Sequence, residues 1–231
     1  MEELNIVQRI AIWVLPVLFA ITVHEVAHGW VARRLGDPTA LMLGRLTLNP
    51  IKHVDPIGTV LLPGLLLWLG GFVFGWAKPV PVSWQNLRRP KRDMAYVALA
   101  GPGANLLMGI GWALIAKLGL LVLEGSQAVG LPLVLMGVAG IFINTILMVL
   151  NLLPLPPLDG GRVLTGLLPG RIAAQFARIE PFGLVILVVL LFSGVLGKIL
   201  WPAISLVQNL LGQAAGVSPQ LLQGILMSLI Q

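Results

Sequence analysis

Between Ile10 and Ala32 the chain runs apolar for longer than the ~20 residues a helix needs to cross a hydrocarbon core. Met94–Val122, Leu131–Leu153 and Pro181–Leu200 read the same way. Inside a bilayer the backbone must satisfy its own hydrogen bonds, which leaves helices or a closed barrel, and runs of this length select helices. The expected fold is therefore an all-α polytopic membrane protein, a transmembrane helical bundle with a short re-entrant β/hairpin element. Of the 231 residues, 57% are hydrophobic and 10% charged, and the mean hydropathy is +0.94, well outside the soluble range. One membrane-embedded domain over 1–231 is expected, with a core over 8–165 and C-terminal helices over 180–231.

The first run begins beyond Arg9, continues past the length of a signal peptide's apolar core and has no A-x-A-like site, so it is expected to remain in the protein. It stops at Arg33, Arg34, Gly36 and Pro38, which supply cations, a cap and a breaker. Further cations follow at Arg88, Arg89, Lys91 and Arg92, then at Arg162, Arg171 and Arg178. The net charge of +6 is thus gathered in loops that the positive-inside rule places at the cytosolic face, and nucleic acid is not expected as a partner.

Leu41–Asp55 alternates around Thr47 and Leu48 and reads as a short strand or hairpin at the membrane surface. Ile57–Phe74 is broken by Pro63-Gly64 and Gly70-Gly71, and Gly75–Val82 reads as extended. Because cations flank this stretch on both sides, residues 57–82 are expected to dip into the bilayer and return, lining a protein-covered cavity. Ser218–Ile230 has the spacing of an interfacial helix.

With no cysteine, thiolate sites and cysteine nucleophiles are excluded, and a transition metal would be left with His, Asp and Glu. Two of the three histidines stand in His24-Glu25-Val26-Ala27-His28, an H-E-x-x-H on a helix. Four residues advance a helix by just over a turn, so both imidazoles share a face and can share a tetrahedral zinc, with Glu25 beside the open position. A pair of packed, hydrogen-bonded histidines is the plainer alternative. Depth argues against it, since at about 1.5 Å per residue His28 lies about 7–8 Å and His24 about 13–14 Å from Arg33. An ionised Glu25 there costs about 2.5 kcal/mol or more unless a cavity, a partner or a metal receives it.

A catalytic zinc takes three protein ligands and keeps one position open. The remaining candidates are His53, Asp37, Asp55, Asp93 and Asp159. Asp159 fits best, because its preceding helix returns to the side of His28, and the prolines before it and Gly160-Gly161 after it let the chain bend toward the metal. Its alternative role is the N-cap of the next helix. Asn144 and Asn151 lie seven residues apart on one helix face, and Asn151 divides between hydrogen-bonding an oxyanion and bonding a neighbouring helix.

These pieces, together with Gly44-Arg45-Leu46-Thr47-Leu48-Asn49-Pro50, Gly101-Pro102-Gly103-Ala104-Asn105 and Asn151-Leu152-Leu153-Pro154-Leu155-Pro156-Pro157-Leu158-Asp159-Gly160, resemble the site-2 proteases. The resemblance is to the compact bacterial and archaeal branch without a PDZ domain, and it spans most of the chain. It implies a zinc-dependent metalloendopeptidase that cuts within or next to transmembrane segments of membrane proteins, in regulated intramembrane proteolysis. It further implies one Zn2+ per chain held by His24, His28 and Asp159, with Glu25 as acid and base, Asn151 near the scissile peptide, and substrate entry beside an edge strand of the re-entrant region. The expected setting is a bacterial plasma (inner) membrane, multi-pass, with the site toward the cytosol. A divalent-metal transporter is the first alternative, but it would spread polar groups along several spans, commonly with an internal repeat. A non-catalytic scaffold with structural zinc would lack the base or add a fourth ligand. Substrate identity, oligomeric state and the role of His53 are left open by the residues.

Overall fold

The computed structural model describes residues 4–61, 65, 75 and 77–230. Among these the elements are helices: α1 (Ile6–Arg34), α2 (Thr39–Met42), α3 (Pro90–Leu123), α4 (Gln127–Asn151), α5 (Asp159–Leu167), α6 (Gly170–Ala177), α7 (Glu180–Phe192), α8 (Val195–Ala214) and α9 (Pro219–Ile230), with 3-10 turns at Pro50–His53 and Trp84–Asn86. α1, α3, α4 and α8 are each long and apolar enough to cross a membrane. The all-α, multi-pass architecture expected from the apolar runs is the one observed.

Each boundary has a local cause. α1 opens on a capping box, in which the Asn5 side chain accepts from Gln8 N–H (2.9 Å) and the Gln8 side chain accepts from Asn5 N–H (3.0 Å). It closes after Arg33 and Arg34, cations placed against the negative end of the helix dipole. α3 starts with Pro90 in its first turn, where a missing N–H costs nothing.

The bundle packs through small residues. A Cβ on Gly137 of α4 would stand 2.6 Å from the Cβ of Ala116 on α3, so the two backbones meet where only glycine fits. The core around this contact joins Ile12, Ala113, Ala116, Val134, Val138 and Ile141.

Two expectations are corrected. Leu41–Asp55 forms no strand or hairpin: Thr39–Met42 closes a helical turn, Gly44 turns the chain at φ +64°, and Pro50, which fixes its own φ, starts the 3-10 turn. Pro181–Leu200 is not one span, because the chain breaks at Ser193-Gly194, where Gly194 adopts φ +72° and a new helix begins. α7 is only 13 residues long and bends by 60° from α6, with which it forms a broken span or a re-entrant loop, whereas α8 is long and apolar enough to cross alone. The amphipathic spacing of Ser218–Ile230 is observed as α9, whose apolar face packs Leu222, Ile225, Leu226 and Leu229 into the core, and Leu229 O accepts from Trp13 Nε1 at 3.4 Å. Most of the re-entrant dip lies outside the described residues. Of it, Pro56–Leu61 is a π-helical turn and 77–82 is non-helical.

Candidate metal centre

His24 and His28 project from one face of α1 and are buried, and Asp159, the first residue of α5, is buried opposite them. The two Nε2 atoms are 3.0 Å apart, and each lies 3.3 Å from Asp159 Oδ2. His53 does not join this group.

The tautomers follow from the partners on the far side of each ring. His28 Nδ1 is 2.7 Å from Val97 O, and a carbonyl only accepts, so Nδ1 carries the hydrogen. His24 Nδ1 stands 2.5 Å from Asn105 Oδ1. As neutral rings, both therefore turn Nε2 lone pairs toward a carboxylate oxygen that is itself buried without a hydrogen-bond partner. Three acceptors meeting in a buried space call for a cation. Ligands bonded at about 2.0–2.2 Å around a tetrahedral zinc stand about 3.3–3.6 Å from one another, a separation the two imidazole–carboxylate distances meet and the 3.0 Å between the imidazoles falls short of by a few tenths of an ångström. The donor set of two imidazoles and one carboxylate suits zinc and leaves a position open.

The α3 helix approaches the imidazoles because Gly101 has no side chain. A Cβ there would collide with His28 Nε2 and would come to 2.6 Å from His24 Nε2. Asp159 is brought in by an equally close approach, since a Cβ on Gly160 would strike the carbonyls of Leu152 and Leu153. The Gly160-Gly161 pair thus lets α5 start directly against the proline-rich turn after α4.

Glu25, half-buried on α1, does not face open water. Its Oε2 accepts the N–H of Val80 at 2.6 Å. The segment carrying Val80 is tied down along its length: Lys78 N–H donates to His53 O (2.9 Å), and Arg45 Nη2 donates to Lys78 O (2.9 Å) and Pro79 O (3.3 Å). Ser83 N–H donates to Asp37 Oδ2 at 2.7 Å. Val80 lies close over α1 beside the metal cluster, where a Cβ on Gly29 would stand 2.9 Å from Val80 Cγ1. Asp37, with no exposed surface, also accepts from Thr39 N–H, Thr39 Oγ1 and Asn86 Nδ2. Burial pushes its carboxyl up, but these hydrogen bonds outweigh burial and hold its pKa below the ordinary carboxylate value.

Asn151, the last residue of α4, donates from Nδ2 to Leu147 O of its own helix at 2.9 Å and is not among the converging groups. Sequence reading gave no role to Asn105, Val97 O or the Val80 N–H, and weighed Asp37 only as a metal ligand. Only Asn105 carried a signal, as an amide in the small-residue run of α3. A main-chain donor or acceptor has no signature in the identity of its residue.

Fold and site together define a class, polytopic helical membrane proteins with a buried His/His/Asp cluster able to hold a metal ion. Residues 120–194, which include Asn151 and Asp159, match the family model described as Peptidase family M50. Across 193 residues the chain is 38% identical to a protein of Bacillus subtilis (strain 168) named "Putative zinc metalloprotease YwhC", covering 83% of this chain and 85% of that one. Rip2 of Mycolicibacterium smegmatis (strain ATCC 700084 / mc(2)155), which bears the same description, is 33% identical over 186 residues, 78% of this chain and 66% of Rip2. Rip2 of Mycobacterium tuberculosis (strain ATCC 25618 / H37Rv) is 31% identical over 180 residues, 76% and 64% of the two lengths. No solved structure matches. The chain belongs to peptidase family M50, the site-2 protease family of membrane-embedded zinc metalloproteases.

Proposed function

We propose that this protein hydrolyses peptide bonds within or next to transmembrane segments of other membrane proteins, as a step of regulated intramembrane proteolysis, with zinc held by His24, His28 and Asp159. One observation carries the reading: the convergence of two imidazole lone pairs and an unpartnered carboxylate oxygen beside a glutamate. Zinc in that position supplies electrophilic polarisation of the scissile carbonyl and acidifies the attacking water.

Glu25 takes the proton of that water as its oxygen bonds to the carbonyl carbon, then hands the proton to the departing nitrogen as the C–N bond breaks. Asn151 stands at the end of the helix leading to Asp159, and by rotating its amide away from Leu147 O it can offer a hydrogen bond to substrate backbone or oxyanion. A substrate helix hides its peptide groups in its own hydrogen bonds, so it has to unwind locally and dock extended. The non-helical segment 77–82, which passes over Glu25, is the edge available for that docking.

Arg33, Arg34, Arg88, Arg89, Lys91 and Arg92 collect at the ends of α1 and α3 nearer the cluster, so the site opens toward the cytosolic leaflet of the bacterial plasma membrane. The test is zinc quantification on detergent-purified protein, paired with cleavage of a model transmembrane substrate with and without a chelator. Stoichiometric zinc and chelator-sensitive cleavage are expected. Zinc-free protein that still cleaves would overturn the reading.

A further inference from the structure

Behind His24, away from the metal side, lies a chain of hydrogen bonds that crosses three helices within the bundle. Asn105 Oδ1 of α3 faces His24 Nδ1 at 2.5 Å. Asn105 Nδ2 lies 3.2 Å from Ala20 O of α1 and 3.0 Å from Asn144 Oδ1 of α4. Asn144 Nδ2 lies 2.9 Å from Gly140 O. Asn105 and Asn144 have no exposed surface.

The orientation of every amide in this chain is forced. Gly140 O can only accept, so the Asn144 atom facing it is the NH2, and the Asn144 oxygen faces Asn105. Ala20 O can only accept, so the Asn105 NH2 faces both it and Asn144 Oδ1. The Asn105 oxygen is then left for His24, whose Nδ1 must carry the hydrogen and whose Nε2 must carry the lone pair. Reversing either amide would set NH2 against NH2 or oxygen against carbonyl in a space without water, at the full cost of unpaired buried polar groups. Two backbone carbonyls therefore fix, through two side chains, which nitrogen of His24 is offered to a metal.

We propose that Asn105 and Asn144 form an amide relay that holds His24 in its metal-binding tautomer and orientation, with Asn105 as a positioning residue for metal affinity. The inference rests on the reading of His24 as a zinc ligand. His28 obtains the same result from Val97 O alone, since that carbonyl is fixed by the α3 backbone. His24 faces a side chain instead, and a lone asparagine could rotate there. Asn144 Oδ1 and Ala20 O, both facing its NH2, prevent the rotation.

Zinc affinity is measured by chelator competition at fixed pH on the full chain in detergent, carrying no histidine tag, alongside the melting temperature of the metal-free protein. Asn105→Leu removes the acceptor and is expected to weaken zinc about 10- to 100-fold, the usual effect of losing the group that orients a ligating imidazole. Asn105→Asp keeps the acceptor facing His24 but loses the NH2 that Ala20 O and Asn144 Oδ1 receive, so its melting temperature is expected to fall while zinc affinity stays within about five-fold of wild type. Asn144→Leu, which touches no imidazole, is expected to weaken zinc roughly three- to ten-fold through Asn105. The two leucine substitutions combined are expected to cost less than the product of their separate effects, because they break one chain. A purely structural role would lower the melting temperature of the metal-free variants while leaving affinity within about two-fold of wild type, and that result overturns the relay. If Asn105→Leu does not fold, Asn144→Leu decides alone, with unchanged affinity as the overturning result. Wild-type protein that binds no zinc would instead remove the metal assignment itself.

Discussion

The main-chain N–H of Val80 donates to Oε2 of Glu25 across 2.6 Å, tying the segment over the site to the residue proposed to move the proton. A hydrogen bond to a charged acceptor contributes about 1.5–3 kcal/mol, roughly twice a neutral one. Glu25→Gln keeps an acceptor of the same shape but cannot take a proton. Cleavage is expected to fall by at least about 100-fold, with zinc content and Val80 amide exchange close to wild type. Glu25→Ala removes the acceptor too, so exchange at Val80 should accelerate about ten-fold or more while zinc is retained. Hydrogen exchange by mass spectrometry over 77–83 checks the contrast, and equal protection in the two variants would show that Glu25 does not hold the segment.

Gly101 and Gly103 form a natural control pair on α3. The first has no room for a methyl group, since its Cβ would enter the space of both imidazoles, whereas nothing lies within 4 Å of a Cβ at the second. Gly101→Ala is expected to push α3 from α1 and reduce zinc affinity by about an order of magnitude or more, because both ligands must shift. Gly103→Ala should leave affinity unchanged and raise stability by up to about 1 kcal/mol through helix propensity. Zinc titration and thermal melts of the two variants read out both effects.

The spans and the metal cluster were legible because each rests on a rule tied to residue type. Apolar length gave α1, α3 and α4, helical spacing put His24 and His28 on one face, and the scarcity of acidic groups left Asp159 as the best third ligand. The hairpin over Leu41–Asp55 failed because alternation around Thr47 is short, and Gly44 and Pro50 turn the chain before a second strand can pair. The span Pro181–Leu200 failed because one residue, Gly194 at φ +72°, ends a helix that composition alone would continue. The contacts of Glu25 with Val80 and of His28 with Val97 were invisible for another reason: their partners are backbone groups that every residue carries.

Asp37 ties the loop after α1 to the segment after the site, through Ser83 N–H and Asn86 Nδ2. Its pKa is lowered in the fold, so its contribution is fully present above the unfolded value of about 4 and is lost only as pH falls through the lower folded value. Wild-type protein should thus keep this clasp down to pH about 4 and lose it below. Asp37→Ala leaves the Ser83 and Thr39 N–H groups unpaired and is expected to cost about 2–4 kcal/mol at neutral pH. Melting temperatures of both proteins between pH 7 and the acid limit should converge as the wild-type carboxylate protonates. Parallel curves across that range would show that Asp37 is not the group holding the two loops.

Asp159→Asn separates two properties that most ligand substitutions lower together. In the metal-free protein the carboxylate oxygen lies 3.3 Å from both imidazole Nε2 atoms, close enough to pair with an imidazole that has taken up a proton. An amide of nearly the same shape can turn its NH2 toward neutral nitrogens, replacing that ion pair with hydrogen bonds. It also removes the negative ligand that zinc needs. The metal-free Asp159→Asn protein should therefore melt within about 4 °C of the metal-free wild type, the shift that about 1 kcal/mol gives a chain of this size. Added zinc should raise the wild-type midpoint by mass action and leave the variant's nearly unmoved. Melting both proteins with chelator and with a zinc series measures all four states. A variant that melts lower than wild type without metal, yet gains as much from zinc, would mean that Asp159 supports the helix start of α5 and not the ion.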